Sequence, residues 1–229
     1  MPNIHSKLSK ILSYNQKKDW DILAYSYIKE SVSILDAGCG IGRFLKINPK
    51  KITGLERNTV NLNSSKKKGY KVIQGDVTSL PFNDATFDAI HCSHVIEHLT
   101  PSELHKTLQE FDRTLKVNGK LIIIAPLLWK FFYSDLTHIK PYNPDAILHY
   151  MEGGVQRTKN VISDQYELVN IHWRHTPLTM RSLDRYNKSK LHRIKMSLLQ
   201  VLDWLVYKLH LGKFLHKNGY MLILQKCKK

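Results

Sequence analysis

A run of apolar residues broken by three closely spaced glycines, ILDAGCGIGRF at residues 34–44, constrains this chain more than any other stretch. Ile34 and Leu35 lead into Asp36, glycines follow at 38, 40 and 42, and Phe44 and Leu45 open the next apolar run. The pattern predicts a buried strand, a glycine turn and the first turn of a helix. Glycine is needed where a backbone turns tightly and lets a ligand approach without a Cβ in the way. The amides at the start of the helix would then face that ligand.

The third glycine arrives one residue earlier than in the dinucleotide fingerprint G-x-G-x-x-G, and Arg43 stands in its place, so a nicotinamide or flavin site is an imperfect match. Spacing adds more than the loop does. Glu56 stands twenty positions after Asp36, at the end of the apolar run 52–55, where a carboxylate can accept both hydrogen bonds of a ribose diol. A third apolar run, 71–75, ends in Asp76, and LPFNDATFDAIHCSHVIEHL follows at 80–99.

D-x-G-x-G-x-G with these two acids resembles motif I and its neighbours in the class I S-adenosylmethionine-dependent methyltransferases. Residues 80–99 resemble the stretch by which small-molecule, lipid and glycan methyltransferases of that class are recognised. The resemblance implies that Gly38, Cys39, Gly40 and Gly42 hold the methionine end of S-adenosylmethionine and that Asp36 helps to position it. Glu56 and Arg57 would then lie at the ribose, Asp76 at the adenine amino group and Val77 against the ring. Ser93 and His94 would complete the cofactor site, and S-adenosylhomocysteine would be the product.

With 229 residues, 42% of them hydrophobic, the chain can bury one full core, so a single methyltransferase domain over 1–229 is expected. Lys plus Arg number 35 against 19 for Asp plus Glu, a formal charge of +16 that favours an anionic partner without naming it. Cys39, Cys92 and Cys227 form neither a metal spacing nor a disulfide framework, which suits a reducing compartment. Residues 1–20 lack the apolar core of a signal peptide, and the longest apolar candidate, 196–207, is interrupted by Gln200 and Asp203. A cytoplasmic protein, with a membrane-peripheral variant of that reading, is the expectation.

Residues 1–30 read as helical, with Ile4, Leu8, Ile11 and Leu12 on one face and a second apolar patch around Trp20, Leu23 and Ile28. These helices either pack on the sheet or close over the site. The cofactor-binding core is expected at 32–173. Its strands fall at 32–36, 52–56, 71–75, 87–92, 120–125 and 167–173, with a helix between the first two and others at 61–68 and 101–115. Pro101 and Gly119 supply start and stop signals for the last of these. A seventh strand at 220–225 opens the final segment, 220–229. The whole is an α/β, Rossmann-like, doubly wound and mostly parallel seven-stranded sheet, with ligands outside the carboxyl ends of the strands.

Residues 174–219 form a basic helical insertion before the last strand, where the resembled family uses a short turn. Leu191, Ile194, Leu198, Leu202, Leu205 and Leu209 recur at helical spacing, interleaved with Lys188, Lys190, Arg193, Lys195, Lys208, Lys213 and Lys217. Such a helix packs its leucines on the core, lies on an anionic membrane surface, or binds an acidic peptide or a phosphate backbone.

The element D-x-T-H-x-x-P-Y at 135–142 resembles a loop that overhangs the active site in surface-polysaccharide and natural-product methyltransferases. Transfer from a sulfonium is an in-line displacement, so alignment and exclusion of water matter most. A hydroxyl acceptor also needs a base, and histidine exchanges a proton near neutral pH. His138 is the preferred candidate, with Asp135 as its orienting partner, and His98 and His94 are the others. Each has an equally available structural role. Arg43 and Lys140 could hold an anionic acceptor or be ordinary surface charges, and Tyr133 and Tyr142 could line its pocket.

HVIEH at 94–98 formally matches the zinc-protease pattern H-x-x-E-H, but the pattern requires a helix carrying both histidines and a third ligand downstream. It begins directly after strand four, so no metal is assigned. Strand four ends in HCSH rather than in the N-P-P-Y of nucleobase amino methylases, and there is no Pro-Cys pair, which argues against nucleic acid as acceptor. The reading is an S-adenosylmethionine-dependent O-methyltransferase acting on a small molecule, glycan or peptide, with a biosynthetic intermediate preferred. Carboxylate methylation of a peptide or natural product, and a non-catalytic basic binding module, are the alternatives. Oligomeric state is not set by the sequence.

Overall fold

In the computed structural model, residues 20–152, 161–175, 189–209 and 217–227 are described. Seven strands follow in chain order: β1 (Ile34–Ala37), β2 (Ile52–Glu56), β3 (Val72–Gln74), β4 (Phe87–Ser93), β5 (Leu115–Pro126), β6 (Tyr166–His175) and β7 (Lys217–Lys226). They form one sheet in the order β3-β2-β1-β4-β5-β7-β6. The first five pair in parallel, and β7 runs antiparallel to both of its neighbours. Every residue of β1 and of β2 is buried, as expected of strands covered on both faces. The strand order reverses between β1 and β4, which opens a crevice at their carboxyl ends.

Helices α1 (Trp20–Ile28), α2 (Thr59–Lys67), α3 (Pro101–Thr114), α4 (Pro144–Met151) and α5 (Lys190–Lys208) complete the element set. One face of the sheet buries Leu35, Leu55, Ile90 and Ile123 against Leu104, Leu108 and Phe111 of α3. These three follow the spacing of a single helical face. A capping box starts α3: the Thr100 side chain accepts from the Glu103 amide and the Glu103 carboxylate accepts from the Thr100 amide. The other face buries Ile34, Ile52 and Ile122 against Ala24 and Ile28 of α1 and Leu62 of α2. The described part of the N-terminal region therefore packs on the sheet, and Ile4, Leu8, Ile11 and Leu12 lie outside the described residues.

Two expectations are corrected. The helix predicted between β1 and β2 is a single 3-10 turn, Leu45–Ile47. Gly42 sits at φ 80°, which delays any helix, and Asn48 leaves helical geometry at φ −150° before Pro49. The glycine loop therefore does not run into the N-terminus of an α-helix. The second correction concerns the end of α3. The chain enters β5 at Leu115 rather than after Gly119, because a register shift absorbs Lys116 to Gly119 between the pairs Phe87 with Leu115 and Ala89 with Lys120.

The leucine stripe of α5 does not pack on the core. Leu191, Ile194, Leu198, Leu202, Leu205 and Leu209 are each at least 38% exposed. Lys188 and Lys213 lie outside the described residues. Among those described, no helix is long and apolar enough to cross a membrane.

Candidate active site

The glycine loop leaves β1 with Gly38, Gly40 and Gly42 all at positive φ, 77°, 53° and 80°. A Cβ on Gly38 would strike the Val95 side chain, so this glycine is what allows the loop to lie against the segment after β4. The amides of Gly38 and Cys39 both donate to the Leu55 carbonyl, at 2.9 and 3.0 Å. Gly40 donates to Glu56 Oε2 at 2.8 Å, and Asn58 donates to Glu56 Oε1 at 2.7 Å. Two amides thus pin this buried carboxylate at the tip of β2, and each oxygen keeps a second acceptor site. A Cβ built on Gly40 would meet nothing within 4 Å, which leaves room for a ligand to approach the loop backbone.

Asp76, beyond the end of β3, accepts at Oδ1 from the Thr78 amide (2.9 Å) and hydroxyl (2.7 Å), and its Oδ2 pairs with Arg57 at 3.3 Å. Burial pushes this carboxyl up, but the Thr78 donors and the Arg57 guanidinium outweigh it and hold the group below its ordinary range. Val77 is buried beside it and Ser93 closes β4, half-buried. Acids at the tips of β2 and beyond β3, flanking a glycine loop with open backbone, fit an adenosine with a free ribose diol.

Asp36 is elsewhere. Its carboxylate is buried and meets His91 Nδ1 at 2.7 Å, and the Phe44 ring stacks on that imidazole at 3.8 Å between centroids. It therefore ties β1 to β4 beneath the loop. The Cys39 thiol is pushed up to about 12 by burial, then by the charges of Asp36 and Glu56, and burial likewise raises Cys92. Both remain protonated at neutral pH, which excludes a thiolate nucleophile at either position.

On the acceptor side, His94 takes φ 57°, uncommon for a residue with a side chain, and its amide donates to Ile124 O at 2.9 Å. Its Nδ1 lies 3.0 Å from Glu97 Oε1, and Arg174 Nη1 approaches its Nε2 at 3.5 Å. Arg174 reaches over from β6, braced by Nε on Asn218 Oδ1 (3.1 Å) and Nη2 on Asn218 O (3.3 Å). Burial pushes this guanidinium down, opposed by the charge of Glu97.

The backbone carbonyl of Glu97 accepts from the amides of Ile139 (2.8 Å) and Lys140 (3.3 Å), which fastens the loop after β5 to this segment. That loop brings His138 to His98, with ring centroids 4.9 Å apart. His98 Nδ1 faces Thr137 O at 3.1 Å and Thr137 Oγ1 at 3.0 Å, and His138 Nδ1 faces Phe132 O at 2.7 Å. A carbonyl only accepts, so both rings carry hydrogen on Nδ1, and Nε2 is the nitrogen left for other partners. Asp135 Oδ1 is held by the Thr137 amide and hydroxyl, and Oδ2 stands 4.0 Å from His138 Nε2. The Thr137 hydroxyl and then the amide hold this exposed carboxyl below its ordinary range.

The structure thus brings His98, Asp135 and His138 together, with His94 held to the same segment through Glu97, which follows the Val95 that packs against Gly38. It places the other acceptor candidates differently. Tyr142 is a core residue whose hydroxyl donates to Leu99 O at 2.9 Å, so it does not line an open pocket. Arg43 forms a two-pronged pair with Asp21 of α1, at 2.7 and 3.1 Å, so it clamps that helix to the loop. Lys140 lies 5.7 Å over the Tyr142 ring, and Tyr133 is exposed. Glu97, Arg174 and His91 were not among the sequence candidates. Glu97 stood inside the H-x-x-E-H string, whereas nothing local marks the other two.

A family model described as "Methyltransferase domain" matches residues 35–123, from the first strand through β5. This match, within a fold of the same type, supports a class I S-adenosylmethionine-dependent methyltransferase domain over those residues. The chain is 35% identical over 97 residues to an uncharacterised protein of Methanocaldococcus jannaschii, covering 42% of each chain. It is 32% identical over 121 residues to a putative methyltransferase of Encephalitozoon cuniculi, covering 50% of this chain and 56% of that one. The chain therefore spans about half the length of these curated relatives. A SAM-dependent methyltransferase from Archaeoglobus fulgidus shares the fold, with a TM-score of 0.59 at 21% identity over 90% of this chain and 94% of that one. Other relatives bear the names of tRNA, sterol and quinone methyltransferases, so the family does not specify an acceptor.

Proposed function

We propose that the methyltransferase transfers a methyl group to a hydroxyl of a small molecule or glycan. When bound, S-adenosylmethionine supplies a methyl on a positively charged sulfur, so that an O–C bond forms as the C–S bond breaks and the acceptor hydroxyl gives up its proton. Glu56 and Asp76 would hold the ribose and adenine, and the loop from Gly38 to Gly42 the methionine end. The observation that carries the O-methylation reading is the pair of imidazoles on the acceptor side, each tied at Nδ1 to a backbone carbonyl so that Nε2 is left to meet other groups, Asp135 standing 4.0 Å from that of His138. Two such nitrogens, backed by buried Glu97, help a hydroxyl to lose its proton, whereas a carboxylate acceptor would need no such help.

The test is transfer of labelled methyl from S-adenosylmethionine to pools of hydroxylated and carboxylated small molecules and glycans. His138→Ala should lower turnover on a hydroxyl acceptor by roughly 10²–10⁴-fold, the usual worth of a positioned proton acceptor, with S-adenosylhomocysteine binding unchanged. Full activity in His138→Ala and His98→Ala, or labelling of carboxylates alone, would overturn the reading.

We further propose that α5 meets an anionic lipid surface. Its exposed aliphatic stripe would enter the headgroup boundary, and exposed Lys195 together with the chain's excess of +16 supplies the complementary charge. The protein should co-sediment with phosphatidylglycerol vesicles and not with phosphatidylcholine, and Leu198→Glu with Leu202→Glu should abolish this. Self-association relieved by the same changes, or retention on RNA alone, would contradict it.

A further inference from the structure

Glu97, His98 and His138 form a cluster with an unmet chemical demand. A carboxylate oxygen of Glu97 and a ring nitrogen of each histidine lie within 4.8 Å of one another. Glu97 is 1% exposed, and its Oε2 has no hydrogen-bond partner among the described residues. A buried carboxylate oxygen left bare is costly unless a donor or a cation satisfies it. The nearest guanidinium, Arg174, directs its hydrogen bonds to Asn218 and His94 instead.

The rest of the cluster has the construction of a ligand set. His98 and His138 each turn Nδ1 to a backbone carbonyl, Thr137 O and Phe132 O, which fixes the ring and leaves Nε2 as the donor atom. Carbonyl partners of this kind orient histidine ligands in metal sites. His94 holds Glu97 through Oε1 at 3.0 Å, so the carboxylate too is oriented. Asp135 Oδ2, 4.0 Å from His138 Nε2, stands at the edge as a further oxygen.

We infer that Glu97, His98 and His138 bind a divalent first-row transition-metal cation, with positions left open for oxygen ligands from the acceptor. Two imidazoles and one carboxylate suit zinc, manganese, iron or cobalt, and they disfavour magnesium and calcium, which prefer oxygen alone. The assignment rearranges the H-x-x-E-H string. His94 is a positioning residue, Glu97 and His98 are ligands, and the third ligand comes from the loop after β5, forty residues past His98. It deepens the proposed O-methylation and rests on that reading for its consequence: with a cation bound, the two Nε2 lone pairs would be ligands rather than proton acceptors, and an acceptor hydroxyl made more acidic by the cation would release its proton to solvent.

Cobalt(II) titration of the metal-free full chain, followed by visible absorption, reads the site directly. The wild type should bind one equivalent with a saturating spectrum. His98→Ala, His138→Ala and Glu97→Gln should each weaken that binding by more than the roughly 10–100-fold that loss of an outer partner costs. Calorimetric binding of S-adenosylhomocysteine, retained in all three variants, confirms that they fold. No spectrum in the wild type at millimolar cobalt, or an unchanged one in the histidine variants, overturns the assignment. Cobalt failure with intact S-adenosylhomocysteine binding sinks the metal site alone, whereas loss of that binding in the wild type sinks the methyl-transfer reading alone.

Discussion

Gly54 lacks a side chain because Cys39 occupies the space. A Cβ there would lie 2.6 Å from Cys39 Sγ and 3.1 Å from Leu45 Cδ1, within a strand buried on both faces. Gly54→Ala must therefore push the glycine loop away from β2, and overpacking of this kind costs about 1–3 kcal/mol. Chemical denaturation should report that loss, and calorimetry should report weaker S-adenosylhomocysteine binding, because the displaced loop carries the amide that holds Glu56. Unchanged stability would show that the loop gives way freely. At this scale the placing of Glu56 at the end of β2 and of Asp76 just beyond β3 was legible in the sequence, since strand ends are positioned by spacing along the chain. His91 and Arg174 were not. The first meets Asp36 only because β4 lies beside β1, and the second reaches His94 only because β6 and β7 close the sheet beyond β5.

The entry to β1 depends on the start of β4. Asp88 Oδ2 accepts from the amides of Val32 and Ser33, at 3.0 and 2.9 Å, and Oδ1 from Lys116 Nζ at 2.8 Å. Burial pushes this carboxyl up, but the Lys116 ammonium and the two amides outweigh it and hold it below its ordinary value of 3.8. A carboxyl depressed on folding stabilises the protein above its unfolded value and loses that contribution as pH falls through the folded one. Asp88→Asn should lower stability by about 1–2 kcal/mol at pH 7. The difference from wild type should shrink as pH falls below about 4, and urea titrations at several pH values would reveal it. The elements around it were mostly readable from alternation of apolar runs and turn signals. The missing first helix was not, because an apolar run after a glycine loop predicts a helix until Gly42 and Pro49 are weighed together. The exposure of α5 was also hidden, since the same leucine spacing serves a core face and a surface one.

At the scale of the whole molecule, three strand ends and two loops lie on the carboxyl side of the sheet, where the strand order reverses between β1 and β4. In the proposed reading the loop after β1 and the tips of β2 and β3 would make the cofactor side, and the segment after β4 and the loop after β5 the acceptor side. Glu97 joins the halves of the acceptor side through its backbone carbonyl, and Val95 packs the segment against Gly38. Cofactor and acceptor sites are therefore built on contiguous backbone, and the acceptor chemistry has meaning only if the cofactor binds. Isothermal calorimetry of S-adenosylhomocysteine with the wild type, Glu56→Ala and Asp76→Ala tests this most directly. The account predicts micromolar binding to the wild type, weakened by roughly 10–100-fold in each variant, the worth of a charge-assisted hydrogen bond. No heat at millimolar ligand, or affinity indifferent to both acids, would contradict it.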